Sequence, residues 1–167
     1  MVEQFLECLE FLHDHNITHR TRPWNYEWLE RWTVRPVRYY LIDFGLSREL
    51  DLKDDPGFLG VWGQDKTVPE MSETIPANTF KVDVYHFGNV IKRLTKQYTG
   101  LKILKSLANK MTNPDPLKRL TAHEAMKAFQ HRKSKWTART MKRRVWRRTT
   151  PFIDRFMVKY RNFNAII

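Results

Sequence analysis

Along residues 2–14 the apolar side chains Phe5, Leu6, Leu9 and Leu12 recur at helical intervals, with Glu3, Glu10 and Asp14 between them. That spacing lays one stripe along one face of a 3.6-residue turn, so the segment predicts an amphipathic helix ending near His15–Asn16. Residues 37–42, Val-Arg-Tyr-Tyr-Leu-Ile, form a β-branched and aromatic run that predicts a short strand leading into a turn at Asp43-Phe44-Gly45. Residues 46–79 hold three Gly or Pro clusters with little periodicity and read as a long irregular segment. Residues 81–98 predict a buried helix, residues 101–111 a second and Thr121 to Phe129 a third. Thr121 and Glu124 fit a capping box, in which each side chain satisfies a free backbone N–H of the other's residue. There is no internal repeat and no Gly/Ser linker. The expected fold class is mainly α, with a small β element around residues 37–42.

Composition narrows the picture. Of 167 residues, 41% are hydrophobic and 29% charged, which suits one domain with a packed core. The mean hydropathy of −0.61 is that of a water-facing protein. No run approaches the roughly 20 apolar residues of a membrane-crossing helix. Acidic residues interrupt the first apolar stretch and no basic leader precedes it, so it does not read as a signal peptide. The single cysteine, Cys8, excludes an internal disulfide framework and a cysteine zinc cluster, and its place on a helical segment predicts a buried, inert thiol. The net charge of +12 is concentrated near the end: residues 131–161 hold twelve Lys/Arg against one acid, Asp154. The expected organisation is therefore a near-neutral body, residues 1–130, followed by a basic amphipathic segment, residues 131–167.

Five short signals give the body its identity by their order. Residues 11–20 read FLHDHNITHR, with His19 and Arg20 at the end. Leu41 and Ile42 then lead into Asp43-Phe44-Gly45, followed by Thr67-Val68-Pro69-Glu70, by Asp83-Val84-Tyr85-His86-Phe87-Gly88, and by residues 113–121, NPDPLKRLT. In that order and at roughly that spacing they resemble the C-terminal lobe of eukaryotic-type protein kinases: the start of the catalytic loop, the D-F-G turn, the A-P-E segment, the D-V-W-S-F-G helix and the D-P-x-x-R-x-T segment. The resemblance spans residues 5–130. It implies that Asp43, beside the Gly45 turn, would hold Mg²⁺ on the phosphates of ATP. It implies an ion pair between Glu70 and Arg119, and a hydrogen-bonding role for Asp83 toward the catalytic-loop backbone. The alternative for Asp83 is a helix-start aspartate favoured by the helix dipole. His19 and Arg20 are implied to be structural.

The pattern breaks at the chemistry. Active kinases read H-R-D-x-x-x-x-N, with the Asp as base and the Asn on a second magnesium. Here Thr21 stands at the base position and Tyr26 at the Asn position. Threonine cannot accept a proton near neutral pH, and tyrosine is a poor magnesium ligand, so no catalytic residue is expected. No counterpart of the family's N-lobe precedes the first helix, which leads us to expect weak Mg-ATP binding at best. Residues 21–35 carry Trp24, Trp28 and Trp32 at four-residue intervals near Arg20, Arg22 and Arg31. Either they form a Trp-striped helix that docks on a partner, or a reading-frame slip or retained intron has overwritten an ordinary catalytic loop.

The functional expectation is a kinase-like protein without phosphotransfer, whose family activity is ATP-dependent phosphorylation of protein Ser/Thr. It is a truncated or decayed pseudokinase, or an incomplete gene model of one. The rival is a binding module that uses the lobe surface and the basic segment. In residues 131–161 Phe152, Phe156 and Tyr160 fall on one helical face beside Arg155 and Lys159. That face can pack on the lobe, lie on an anionic membrane, or bind nucleic-acid phosphates. A protein partner and an intracellular location, cytoplasmic or nuclear, complete the expectation.

Overall fold

The computed structural model describes residues 1–20, 38–51, 57, 59–61, 65–141 and 143–161. Its first helix, α1 (Val2–Asp14), buries Phe5, Leu6, Leu9 and Leu12, the stripe anticipated from their spacing. The chain then turns through Asn16, whose φ of +58° lies in the left-handed region that asparagine tolerates. A two-residue strand, β1 (Ile17–Thr18), pairs antiparallel with β2 (Arg48–Glu49). The long helix α2 (Thr79–Gln97) begins at Asn78, whose side chain accepts from the Lys81 N–H and so satisfies one of the free donors of the first turn. Strand β3 (Tyr98–Thr99) follows, then a 3₁₀ turn at Lys102–Leu104 and helix α3 (Lys105–Met111).

Helix α4 (Ala122–Lys133) opens with the capping box: the Thr121 hydroxyl accepts from Glu124 N, and the Glu124 carboxylate accepts from Thr121 N. A single turn, α5 (Ala138–Met141), precedes β4 (Trp146–Arg147), which pairs antiparallel with β3, and α6 (Phe152–Arg161) comes last. The described residues are thus mainly helical, with two small two-stranded sheets. None of their helices is long and apolar enough to cross a membrane.

The core lies between four helices. Phe5, Leu6 and Leu9 of α1 meet Val84, Phe87 and Ile91 of α2, Leu107 and Met111 of α3, and Met126 and Phe129 of α4. Burying each such side chain contributes about 1.5–3 kcal/mol. A second, smaller cluster joins Val68, Ala77 and Val82, with Met71 and Tyr85 at its edge. At Gly88 helix α2 packs against the end of α3: a Cβ there would stand 2.6 Å from Thr112 Cγ2 and 2.8 Å from Met111 Cβ.

One expected element is absent. Residues 38–42 form no strand, and the short strand of this region lies instead at Arg48–Glu49, inside the segment expected to be irregular. The side chains still alternate: Tyr39 and Leu41 pack against the core, whereas Tyr40 (66% exposed) and Ile42 (65%) face outward. A two-residue period only becomes a ladder when a neighbouring backbone offers partners. Among the described residues β1 pairs with β2, and the Tyr39 N–H goes to the Gln4 side chain.

Candidate functional site

The residues singled out from the sequence gather where the end of β1, the 42–47 turn and the second turn of α2 meet. Asp83 is buried and organises this junction. Its Oδ2 accepts the His19 N–H at 2.7 Å and its Oδ1 accepts the Arg20 N–H, also at 2.7 Å. His13 Nε2 donates to Oδ2 at 3.3 Å. Hydrogen bonds from N–H groups to a carboxylate are about twice as strong as neutral ones, so Asp83 fixes the backbone as the chain leaves residue 20. Helix dipole preference alone does not describe it, because the carboxylate is directed at another segment. Arg20 has φ +58°, an uncommon backbone state for arginine that the two-pronged bond helps to hold.

His19 is structural in this arrangement. Its Nε2 donates to the Ile42 carbonyl at 3.1 Å, and its ring stands edge-on to Phe44 at 5.0 Å. The His19 carbonyl accepts the Ser47 hydroxyl at 3.1 Å. The 42–47 turn is therefore pinned to residue 19 from both ends. Gly45 lies in this turn, closed by Ser47 N donating to Phe44 O at 2.9 Å. Among the described residues a Cβ at Gly45 would meet only the Asp43 carboxylate, at an ordinary 3.5 Å. Asp43 is exposed and holds φ +65°. Among the described residues no group of three or more His, Cys, Asp or Glu side chains could hold a metal ion. Mg²⁺ is commonly held by one or two carboxylates together with substrate phosphates and water, so Asp43 would need those further ligands to hold it.

A second junction lies at the other end of the irregular segment. Arg119 is buried, and its guanidinium forms a fork–fork ion pair with Glu70, with Nη2 to Oε2 at 2.8 Å. It also donates from Nη1 to the Lys81 carbonyl (2.8 Å) and from Nε to the Asn113 carbonyl (2.9 Å), and it lies 4.7 Å above the Tyr85 ring. Thus Glu70 and Arg119 are brought together, as are Asp83, His19 and Arg20, and Asp43 lies on the turn that His19 pins. Thr21, Tyr26 and the tryptophan-rich stretch 21–35 lie outside the described residues.

Sequence reasoning passed over a third polar group. Asp65 is buried and accepts from the Thr67 hydroxyl (2.6 Å), the Thr67 N–H (3.1 Å) and the Asn89 amide (2.9 Å). His86 Nε2 donates to the Asp65 carbonyl at 3.3 Å. Burial opposes ionisation of Asp65, but the bonds from Thr67 and Asn89, with His86 nearby, outweigh it and hold the carboxyl below its ordinary pKa. The Asp-x-Thr spacing of an Asx turn was the signal available for it. At Cys8, burial first and Glu7 second push the thiol up, so it stays protonated near neutral pH.

No family model and no curated protein matches this chain.

Proposed function

We propose that this chain is a protein kinase-like C-lobe that works by binding and not by transferring phosphate. The observation that carries the reading is the Asp83 carboxylate accepting both the His19 and Arg20 N–H groups. The kinase pattern asks for this bond on the residues before its catalytic base. The Glu70–Arg119 ion pair supports it independently, because it joins the two segments that the family pattern pairs. The chemistry is what differs. Thr21 occupies the position of the base and Tyr26 that of the second magnesium ligand, so neither a proton acceptor nor the second metal ligand stands where the family has them. Mg-ATP belongs to the family's activity, and on this reading the chain transfers no phosphate.

Binding has a surface to use. Tyr40, Ile42, Phe44 and Leu46 alternate along the pinned turn and are 66%, 65%, 49% and 46% exposed. Four large apolar side chains exposed within seven residues are candidates for a protein–protein contact. The lone cysteine and the phosphate-handling pattern fit an intracellular setting, and the basic segment adds affinity for an anionic ligand.

The test is phosphotransfer by the full chain with Mg-ATP and mixed Ser/Thr substrates. We expect no incorporation above that of Asp43→Ala. Incorporation that Asp43→Ala abolishes would overturn the reading. In parallel, proximity labelling around Ile42 should recover a protein neighbour that Ile42→Asp loses at unchanged helicity.

A further inference from the structure

From the last turn of α4 onward the chain is strongly basic, and much of it is fastened down. Trp136 stands edge-on to Phe129 at 5.7 Å, and Lys133 Nζ reaches both Glu3 oxygens at 2.6 Å. Strand β4 is anchored on β3, with Arg148 N also donating to Gln97 O at 2.8 Å. Arg155, in the first turn of α6, points its guanidinium back at the preceding turn. Its Nε donates to Thr150 O (3.0 Å), and its Nη2 to the carbonyls of Arg147 (3.2 Å) and Arg148 (3.3 Å). This one arginine therefore holds the start of α6 against the β4 turn.

Two kinds of side chain are left outward on that joined unit. Arg143, Arg147 and Arg148 are exposed. So are Val145, at 47%, and the consecutive pair Phe152 and Ile153, at 79% and 72%. The packing of α6 onto the lobe that its apolar face allowed does not occur at Phe152. Water-facing cations need no explanation. An aromatic and an aliphatic side chain left in water at the start of an amphipathic helix, on a unit that also exposes three arginines, call for a partner that is both anionic and oily.

We propose that the β4–α6 unit docks on an anionic phospholipid surface. Phe152 and Ile153 enter the boundary between headgroups and acyl chains, and Arg143, Arg147 and Arg148 face the lipid phosphates and carboxylates. Single-stranded nucleic acid would satisfy the charge and could stack a base on Phe152, but it would leave the aliphatic Ile153 and Val145 in water. The helix has only ten residues, so charge and apolar insertion must act together.

Flotation of the full chain with phosphatidylcholine vesicles, with and without phosphatidylserine, tests this. We expect retention only with phosphatidylserine and a decline as salt is raised. Each of Arg147→Glu and Arg148→Glu should weaken retention at least about fivefold. Phe152→Ser/Ile153→Ser should weaken it at least about tenfold at unchanged circular dichroism; if that pair disturbs the fold, Ile153→Ser alone makes the same comparison. Three results would overturn the proposal: no retention on phosphatidylserine vesicles, retention indifferent to loss of the apolar pair, or single-stranded RNA that strips the chain from vesicles and binds the apolar variant as well as the native chain.

Discussion

Arg119 joins three stretches of chain through one planar group: Glu70 before α2, the Lys81 carbonyl in its first turn, and the Asn113 carbonyl after α3. A guanidinium can do this because its donors lie in one plane at fixed angles, which lysine cannot reproduce. The side chain is fully buried while Glu70 keeps a little exposure, so the two partners differ in how hard they are to strand. Arg119→Met leaves the Glu70 carboxylate desolvated and unpaired, and should lower stability by about 3–5 kcal/mol in urea unfolding. Glu70→Gln in that background should recover part of the loss, the signature of a coupled pair. The sequence named both members of this pair but not the carbonyls that Arg119 also reaches. Carbonyl partners have no side-chain identity to read, which also kept the His86 contact of Asp65 out of view.

The apolar period located α1, α2 and α4 to within a few residues, and the Thr121/Glu124 cap marked the start of α4. Helices are legible in this way because their bonds are internal. Strands are not, and the run at residues 37–42 shows why: its alternation is present, but the pairing went to Arg48–Glu49. Likewise, no local pattern announced that β4 would pair with β3 across nearly fifty residues. The need for Gly88 was equally hidden, since it arises from α3 and not from α2. Gly88→Ala gains up to about 1 kcal/mol of helix propensity. It also pushes a methyl against Met111 Cβ and the Thr112 methyl, atoms too close to the α3 backbone to swing away. Overpacking of about 1–3 kcal/mol outweighs the propensity, so the variant should melt several degrees lower in a calorimetric scan.

Across the whole molecule, acid is the condition that reaches several contacts at once. Asp65 and Glu124 both have carboxyls held below their ordinary values; at Glu124 the Thr121 N–H is the leading cause. Depressed carboxyls favour the folded state when ionised. Their contribution is complete above the unfolded value of about 4, and is lost as pH falls through that range to the lower folded value. Stability followed by urea unfolding should therefore be flat with respect to these groups near neutrality and decline in acid. Asp65→Asn should be less stable near neutrality and show a shallower acid decline.

Finally, α1 and α4 share one core although Glu10 and its partner His123 are 113 positions apart in the chain. On the ribosome, α1 emerges with its apolar stripe bare and must wait through the synthesis of everything up to Phe129 before that stripe is covered. At ordinary elongation rates that is a delay of roughly ten seconds. The nascent chain is most in need of a chaperone during that interval.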